Sequence, residues 1–278
     1  MDRYRPDRCP GALRPWPADD GLLVRLRLPG GRVGATALDA LGRFAERYGD
    51  GHVHVTSRSN LQVRGLPGAS DLPADVLAEL EATGLLPSRT HDLARNVMAS
   101  PRTGLASAPA DLRPVLRALD AAICGDPVLG GLPGRFLFVL DDGTGDLLGA
   151  TCDLGLVALD DAHGQLRVGD GWGDVVPVSS AHEELVVLAR AFLRARGGGP
   201  SAAWHVRELP SPLVPARSPD PRVPSPAPPL PYGAVPGGRH VPVPSDGLDR
   251  SAVERLCAAA PELVVTPWRG VLIPEENR

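Results

Sequence analysis

Ten of the twenty-two residues from 210 to 231 are proline. Such a stretch can hold neither a helix nor a sheet ladder, because proline lacks the backbone donor and fixes φ. It reads as a semi-rigid extended linker over residues 210–235. The cores of this 278-residue chain must therefore be built on either side of it, and the length suits about two compact domains. Punctuation elsewhere divides the chain at residues 1–88, 89–209 and 236–278.

Residues 22–28 read as a strand turned by Pro29-Gly30-Gly31. Thr36 is placed to cap a helix with Leu38, Leu41, Phe44 and Tyr48 on one face, stopped by Gly49 and Gly51. Residues 52–57 and 61–65 alternate as strands around the polar bridge Thr56-Ser57-Arg58-Ser59-Asn60, and a helix follows over 74–82. Strand, helix, strand, strand, helix is the order of an α+β sandwich. Residues 93–104 read as a loop, 111–124 as an amphipathic helix, and 135–159 as antiparallel strands joined by Asp-Gly turns. Ser180 with Glu183 forms a capping box that opens a helix running to Gly197, and a strand is expected at 204–206. Beyond the linker a helix is expected near 251–259, with strands around Thr266 and Val271. That last piece echoes the first. His52-Val53-His54-Val55-Thr56 and Leu61-Gln62-Val63 match Glu262-Leu263-Val264-Val265-Thr266 and Val271-Leu272-Ile273, with Arg58 and Arg269 just after the threonines.

The net charge of −4 excludes a general nucleic-acid binder, which needs a basic face to release counterions. No apolar run is long enough for a membrane span, and the first seventeen residues lack the apolar core of a signal peptide. The four cysteines, Cys9, Cys124, Cys152 and Cys257, are scattered single thiols without metal-motif spacing, which suits a reducing cytoplasm. No metal site is expected. His52 and His54 share a strand face but lack a third ligand. Asp141-Asp142-Gly143 and Asp160-Asp161 fall at turns that favour aspartate anyway.

Lysine is absent, so arginine supplies every fixed cation. Three arginines sit on polar loops at strand ends: Arg58, Arg95 in Ala94-Arg95-Asn96-Val97, and Arg135 after Leu132-Pro133-Gly134. A guanidinium forks onto a carboxylate bidentately and stays charged at any physiological pH. Several converging would suit a ligand with many carboxylates. Each alone reads first as a loop cap or an aspartate partner.

Thr56-Ser57-Arg58-Ser59-Asn60-Leu61-Gln62-Val63-Arg64-Gly65 resembles the strand-turn-strand motif of the ferredoxin-like half-domain in nitrite and sulfite reductases. Arg95-Asn96-Val97 resembles that family's Arg-Asn-Val segment, and Leu132-Pro133-Gly134-Arg135-Phe136 its Leu-Pro-x-Lys-Phe segment. The three occur in the family's order. The opening Arg5-Pro6-Asp7-Arg8-Cys9-Pro10-Gly11-Ala12 and the run Thr266 to Pro274 are most similar to the precorrin-3B synthase branch. The resemblance implies an α+β fold: ferredoxin-like halves at 1–88 and, in part, at 236–278, packed on a sirohaem-reductase-type α/β domain at 89–209 with a mixed or antiparallel sheet. It implies a cytoplasmic oxidoreductase of cobalamin biosynthesis that hydroxylates a corrin precursor, with sirohaem or a related tetrapyrrole and a 4Fe–4S cluster as cofactors. Arg58, Arg95 and Arg135 would take the catalytic positions. Arg58, Asn60, Gln62, Arg64, Arg95, Asn96 and Arg135 would bind the cofactor or the tetrapyrrole substrate.

The sequence departs from the family in three places. Arg135 stands at the family's lysine, Leu137 at the second lysine of sulfite reductases, and none of the four cysteines matches the cluster-binding spacing. The expectation is an N-terminal part of such an enzyme, with the cluster cysteines supplied by a separate C-terminal half or lost by truncation of the gene. The alternatives are a non-catalytic tetrapyrrole-binding module or a degenerate remnant. Neither nucleic acid nor membrane is expected as a partner.

Overall fold

A computed structural model of the protein describes residue 7 and residues 9–105 and 108–275. By contact the described residues form two compact units, one of Cys9–Asp92 with 230–275, the other of Leu93–Pro229 with Asp7. The architecture is α+β. The first unit begins with β1 (Trp16–Ala18), β2 (Gly21–Leu26), β3 (Arg32–Gly34), α1 (Ala35–Tyr48), β4 (His54–Val55), β5 (Leu61–Leu66) and α2 (Ala74–Ala82). Four of these strands form an antiparallel sheet in the order β1-β2-β5-β4. Leu22, Val24 and Leu26 alternate along β2 and pack with Leu61 and Val63 of β5 against Leu38, Leu41 and Phe44 of α1. Thr36 does not cap α1. The cap position is Gly34 without a side-chain bond, and the Ala35 amide instead donates to the Pro261 carbonyl at 2.9 Å.

The second unit contains β6 (Val97–Ala99), α3 (Arg113–Gly125), β7 (Phe138–Asp141), β8 (Leu154–Ala158), β9 (His163–Val168), β10 (Gly171–Pro177) and α4 (Ala181–Ala195). Its sheet runs β10-β9-β8-β7-β6. Here the structure corrects several expectations. The segment read as a loop at 93–104 holds β6, buried at all three positions. β6, β7 and β8 are parallel rather than antiparallel, because residues 142–153 carry the chain back to re-enter the sheet in the same direction. Only β8-β9-β10 is antiparallel. Residues 204–206 form no strand. The Asp153 carboxylate accepts from the Val206 amide at 2.8 Å and Glu208 from the Trp204 amide at 2.7 Å, winding a 3-10 turn over Val206–Glu208. Ser180 makes no cap bond, and α4 is entered through a 3-10 turn at Val178–Ser180.

The proline-rich stretch is extended, as its composition demands, but it is not a free linker. Leu213 and Val214 pack against the second unit's core, and the Gln165 side chain donates to the Ser218 carbonyl and accepts from the Asp220 amide.

After it come β11 (Gly233–Val235), β12 (Gly238–Pro242), α5 (Arg250–Ala259), β13 (Glu262–Thr266) and β14 (Gly270–Pro274). They rejoin the first unit rather than standing apart: their sheet, β11-β12-β14-β13-β3, incorporates β3 from the beginning of the chain. The sequence echo is a structural repeat, β1-β2-α1-β4-β5 against β11-β12-α5-β13-β14. The connections before the two helices are exchanged. β3 pairs with β13, and Leu248, just before α5, exchanges two 2.9 Å backbone bonds with Val53, just before β4. Of the expected 52–57 strand only His54 and Val55 pair with β5, and the His52 amide is taken by Asp50 Oδ1. Gly31 adopts φ +71° and lies so close to β13 that a Cβ there would stand 2.1 Å from the Val265 carbonyl oxygen. Among the described residues no helix is long and apolar enough to cross a membrane.

Candidate functional site

The hairpin between β4 and β5 is built by Thr56. Its Oγ1 accepts from the Arg58 and Asn60 amides (3.3 and 3.1 Å), and Ser59 takes the left-handed conformation at φ 57°. The second repeat makes the same turn: Thr266 stands four residues before Gly270, with Arg269 at φ 55°. Registered this way, Arg269 corresponds to Ser59, and Arg58 corresponds to Trp268. The two arginines paired by the sequence echo are therefore not equivalent.

Strand alternation turns Arg25, Gln62 and His54 away from the helices, and register places them side by side, Arg25 opposite Gln62 and Gln62 opposite His54. Arg25 Nη2 donates to Gln62 Oε1 at 3.3 Å, while Arg25 Nε is buried with no hydrogen-bond partner. Burial, and after it the nearby Arg58 charge, hold the Arg25 guanidinium below its ordinary pKa. A guanidinium with an orphaned buried donor, under the influence of a second positive charge, is a combination that favours an anion. Arg25 is a residue the sequence reading missed. Its signal was present: arginines at 25 and 27 interrupt an otherwise apolar strand at the spacing that puts both on one face. Arg27 is 3% exposed, lies 3.9 Å from Asp92 and donates to the Pro10 and Arg25 carbonyls, so it braces the strand.

The other expected residues of this unit have structural partners. Asn60, 1% exposed, accepts the Leu28 amide on Oδ1 at 2.9 Å and so ties β2 to the hairpin that presents Arg58. Arg64 forks onto Asp20 at 3.0 and 3.3 Å. His54 pairs with Asp50 at 2.7 Å.

In the second unit Arg95 is 7% exposed and clasps Asp120 of α3 bidentately at 2.7 and 2.9 Å. Asn96 donates to the Gly134 carbonyl at 2.7 Å, pinning the loop that carries Arg135. Arg135 itself is half-exposed, 3.9 Å from Asp7 and stacked over Trp204 with its guanidinium carbon 5.1 Å from the ring centre. Of the three expected catalytic arginines, Arg95 and Arg135 thus share one unit and Arg58 stands in the other.

A polycarboxylate tetrapyrrole suits the Arg25 surface in one respect: the buried, unpartnered Arg25 Nε–H is a donor for an acid arm. A four-cysteine cluster does not fit these thiols. Cys9 and Cys257 belong to one unit, Cys124 and Cys152 to the other. Burial pushes the Cys152 thiol up to about 12 and raises Cys124 and Cys257, whereas ligation needs thiolates. Among the described residues the one group of three or more ligating side chains within reach of each other is Asp141, Asp142 and Asp146. The opening segment carrying the branch resemblance is described only at residue 7 and from Cys9 onward, so Arg5, Pro6 and Arg8 lie outside the described residues.

The repeat and its arginine-bearing hairpin define a ferredoxin-like half-domain protein. Residues 17–82 match the family Nitrite/Sulfite reductase ferredoxin-like half domain. The ferredoxin–nitrite reductase of Synechococcus elongatus is 37% identical over 128 residues, covering 44% of this chain and 25% of the relative. The precorrin-3B synthase of a Sinorhizobium species is 44% identical over 62 residues, 22% of this chain and 14% of that one. The chain thus spans about a quarter or less of these two curated relatives. The solved structure of Mycobacterium tuberculosis NirA protein shares the fold, with a TM-score of 0.70 at 18% identity over 96% of this chain and 59% of that chain.

Proposed function

We propose that this chain is part of a precorrin-3B synthase-like oxidoreductase of cobalamin biosynthesis, binding a polycarboxylate tetrapyrrole through Arg58 and Arg25. One observation carries the reading: a buried guanidinium with an unused donor, under the influence of a second guanidinium on a hairpin whose sequence resembles the family's anion-facing motif. The 44% identity over 62 residues to a precorrin-3B synthase supports the cobalamin branch, beside a longer match to a nitrite reductase, 37% over 128 residues.

Arg25 and Arg58 hold acid arms, Gln62 orients Arg25, and Asn60 fixes the hairpin. Arg135 presents further charge, Arg64 does so only once released from Asp20, and Asn96 positions the Arg135 loop. Arg95 acts through its hold on α3, since taking a ligand carboxylate would first require opening its Asp120 pair. A bound sirohaem-type group would supply electron chemistry. No step is assigned to an iron–sulfur cluster, which these cysteines do not fit.

That misfit favours a second reading, a tetrapyrrole-binding module without catalysis of its own. Expression in a host that makes sirohaem separates the two. Protein carrying pigment together with iron and acid-labile sulfide supports the oxidoreductase, and pigment without sulfide supports the module. A colourless protein that also fails to bind uroporphyrin in titration overturns both. In that titration Arg58→Ala should weaken binding roughly 10- to 100-fold while leaving folding intact.

A further inference from the structure

Where β7 ends, the loop Asp141-Asp142-Gly143-Thr144-Gly145-Asp146 gathers three carboxylates, each offering an oxygen within 4.8 Å of the other two. They are not surface groups: Asp141 and Asp142 are 1% and 0% exposed, and Asp146 is half-buried. Asp141 is fully engaged, accepting from the Gly143, Gly145 and Leu147 amides at 2.9 to 3.0 Å. Asp142 is not. Its Oδ1 takes the Thr144 hydroxyl at 2.6 Å, but its Oδ2 is buried with no hydrogen-bond partner. Ser100 donates to Asp146 at 2.6 Å and accepts from the Asp142 amide at 3.1 Å, so a second hydroxyl joins the cluster.

An orphaned carboxylate oxygen in the interior is among the costliest groups a fold can carry. Arg102 draws the Asp146 carboxyl down, but burial outweighs it and, with Asp141 and Asp142, lifts that group to about 7. One guanidinium against three carboxylates leaves a net negative charge, and one of its buried oxygens, Asp142 Oδ2, has no hydrogen-bond partner. All donors are oxygen, which selects a hard cation over a thiophilic metal.

We propose that Asp141, Asp142 and Asp146, with the Thr144 and Ser100 hydroxyls, form a binding site for a divalent calcium-class cation that fastens the β7 loop. The cation would replace the missing partner of Asp142 Oδ2 and lock residues 141–147 onto the Ser100 turn.

The test uses the full chain, stripped with EDTA and desalted. Addition of about 1 mM calcium chloride should raise the thermal unfolding midpoint by roughly 5 °C, and calorimetric titration should give one calcium per chain. Asp142→Asn should keep or raise the midpoint in EDTA, because it relieves repulsion, and should lose the calcium response. If that variant fails to fold, Asp146→Asn at the half-buried member carries the same expectation. A wild-type midpoint that is the same in EDTA, calcium and magnesium, with no heat of binding, overturns the site and leaves a protonated carboxyl cluster. So does a calcium response that survives in both variants.

Discussion

The two repeats of the first unit share a backbone and differ in what they turn away from their helices. In the first, the row across β2, β5 and β4 is Arg25, Gln62 and His54. In the second, the row across β12, β14 and β13 is His240, Leu272 and Val264, respectively 1%, 0% and 1% exposed. Where Arg25 leaves a donor unused, the equivalent His240 turns onto Thr266 Oγ1 at 2.9 Å. Gly270 makes room for that ring, since a Cβ there would meet Nε2 at 2.1 Å. The same strand positions thus carry polar and charged groups in one repeat and packing in the other. Duplication supplies the scaffold, and a handful of side chains decides which copy keeps an unpartnered donor.

The contrast can be broken most forcefully at equivalent strand positions. Leu272→Ala should cost roughly 2–5 kcal/mol in urea unfolding, while Gln62→Ala should stay within about 0.5 kcal/mol. Equal losses would mean that the two faces are not differently used. Next, Arg58→Ala should weaken uroporphyrin binding roughly 10- to 100-fold, and Trp268→Ala, at the matching place, should leave it unchanged. Asn60→Ala strands the Leu28 amide and should cost about 1–3 kcal/mol, with faster hydrogen exchange at Leu28 as the signature. The smallest effect is the pH dependence of His240. Burial lowers its pKa, so the unfolded chain takes up its proton first as pH falls. Stability is full above about 6.5 and declines below it, a slope that His240→Gln should remove from the acid limb of the unfolding midpoint.

The repeat was legible because Thr56 and Thr266 sit at the head of matching alternations, and the helices because their apolar positions recur on one face. Elements that pair at long range were not. β3 is three residues whose partner in β13 lies some 230 positions away, and β6 is buried on both faces, so neither strand shows alternation. The parallel run β6-β7-β8 depends on where an irregular connection re-enters the sheet, which no local pattern encodes. Arg58, Asn60 and Gln62 were found through a motif, yet the structure divides them: one presents charge, one fixes the turn, and one holds the residue that was overlooked. Arg25 escaped notice because an arginine inside an apolar strand reads as an exposed edge until register sets it beside Gln62. The aspartates of the β7 loop were read as turn formers. Their convergence with Ser100 needs β6 and β7 to be neighbours.

The exchanged crossovers also set a timetable. The edge of one sheet is completed by a strand made about two hundred residues earlier, so a nascent chain exposes Arg32-Val33-Gly34 long before Leu263 exists to meet it. The whole central unit must emerge in between, and closing so long a loop slows assembly far more than it weakens the finished fold. Until then β3 is an unsatisfied edge, the stage at which a helper that shields hydrogen-bonding backbone would matter most.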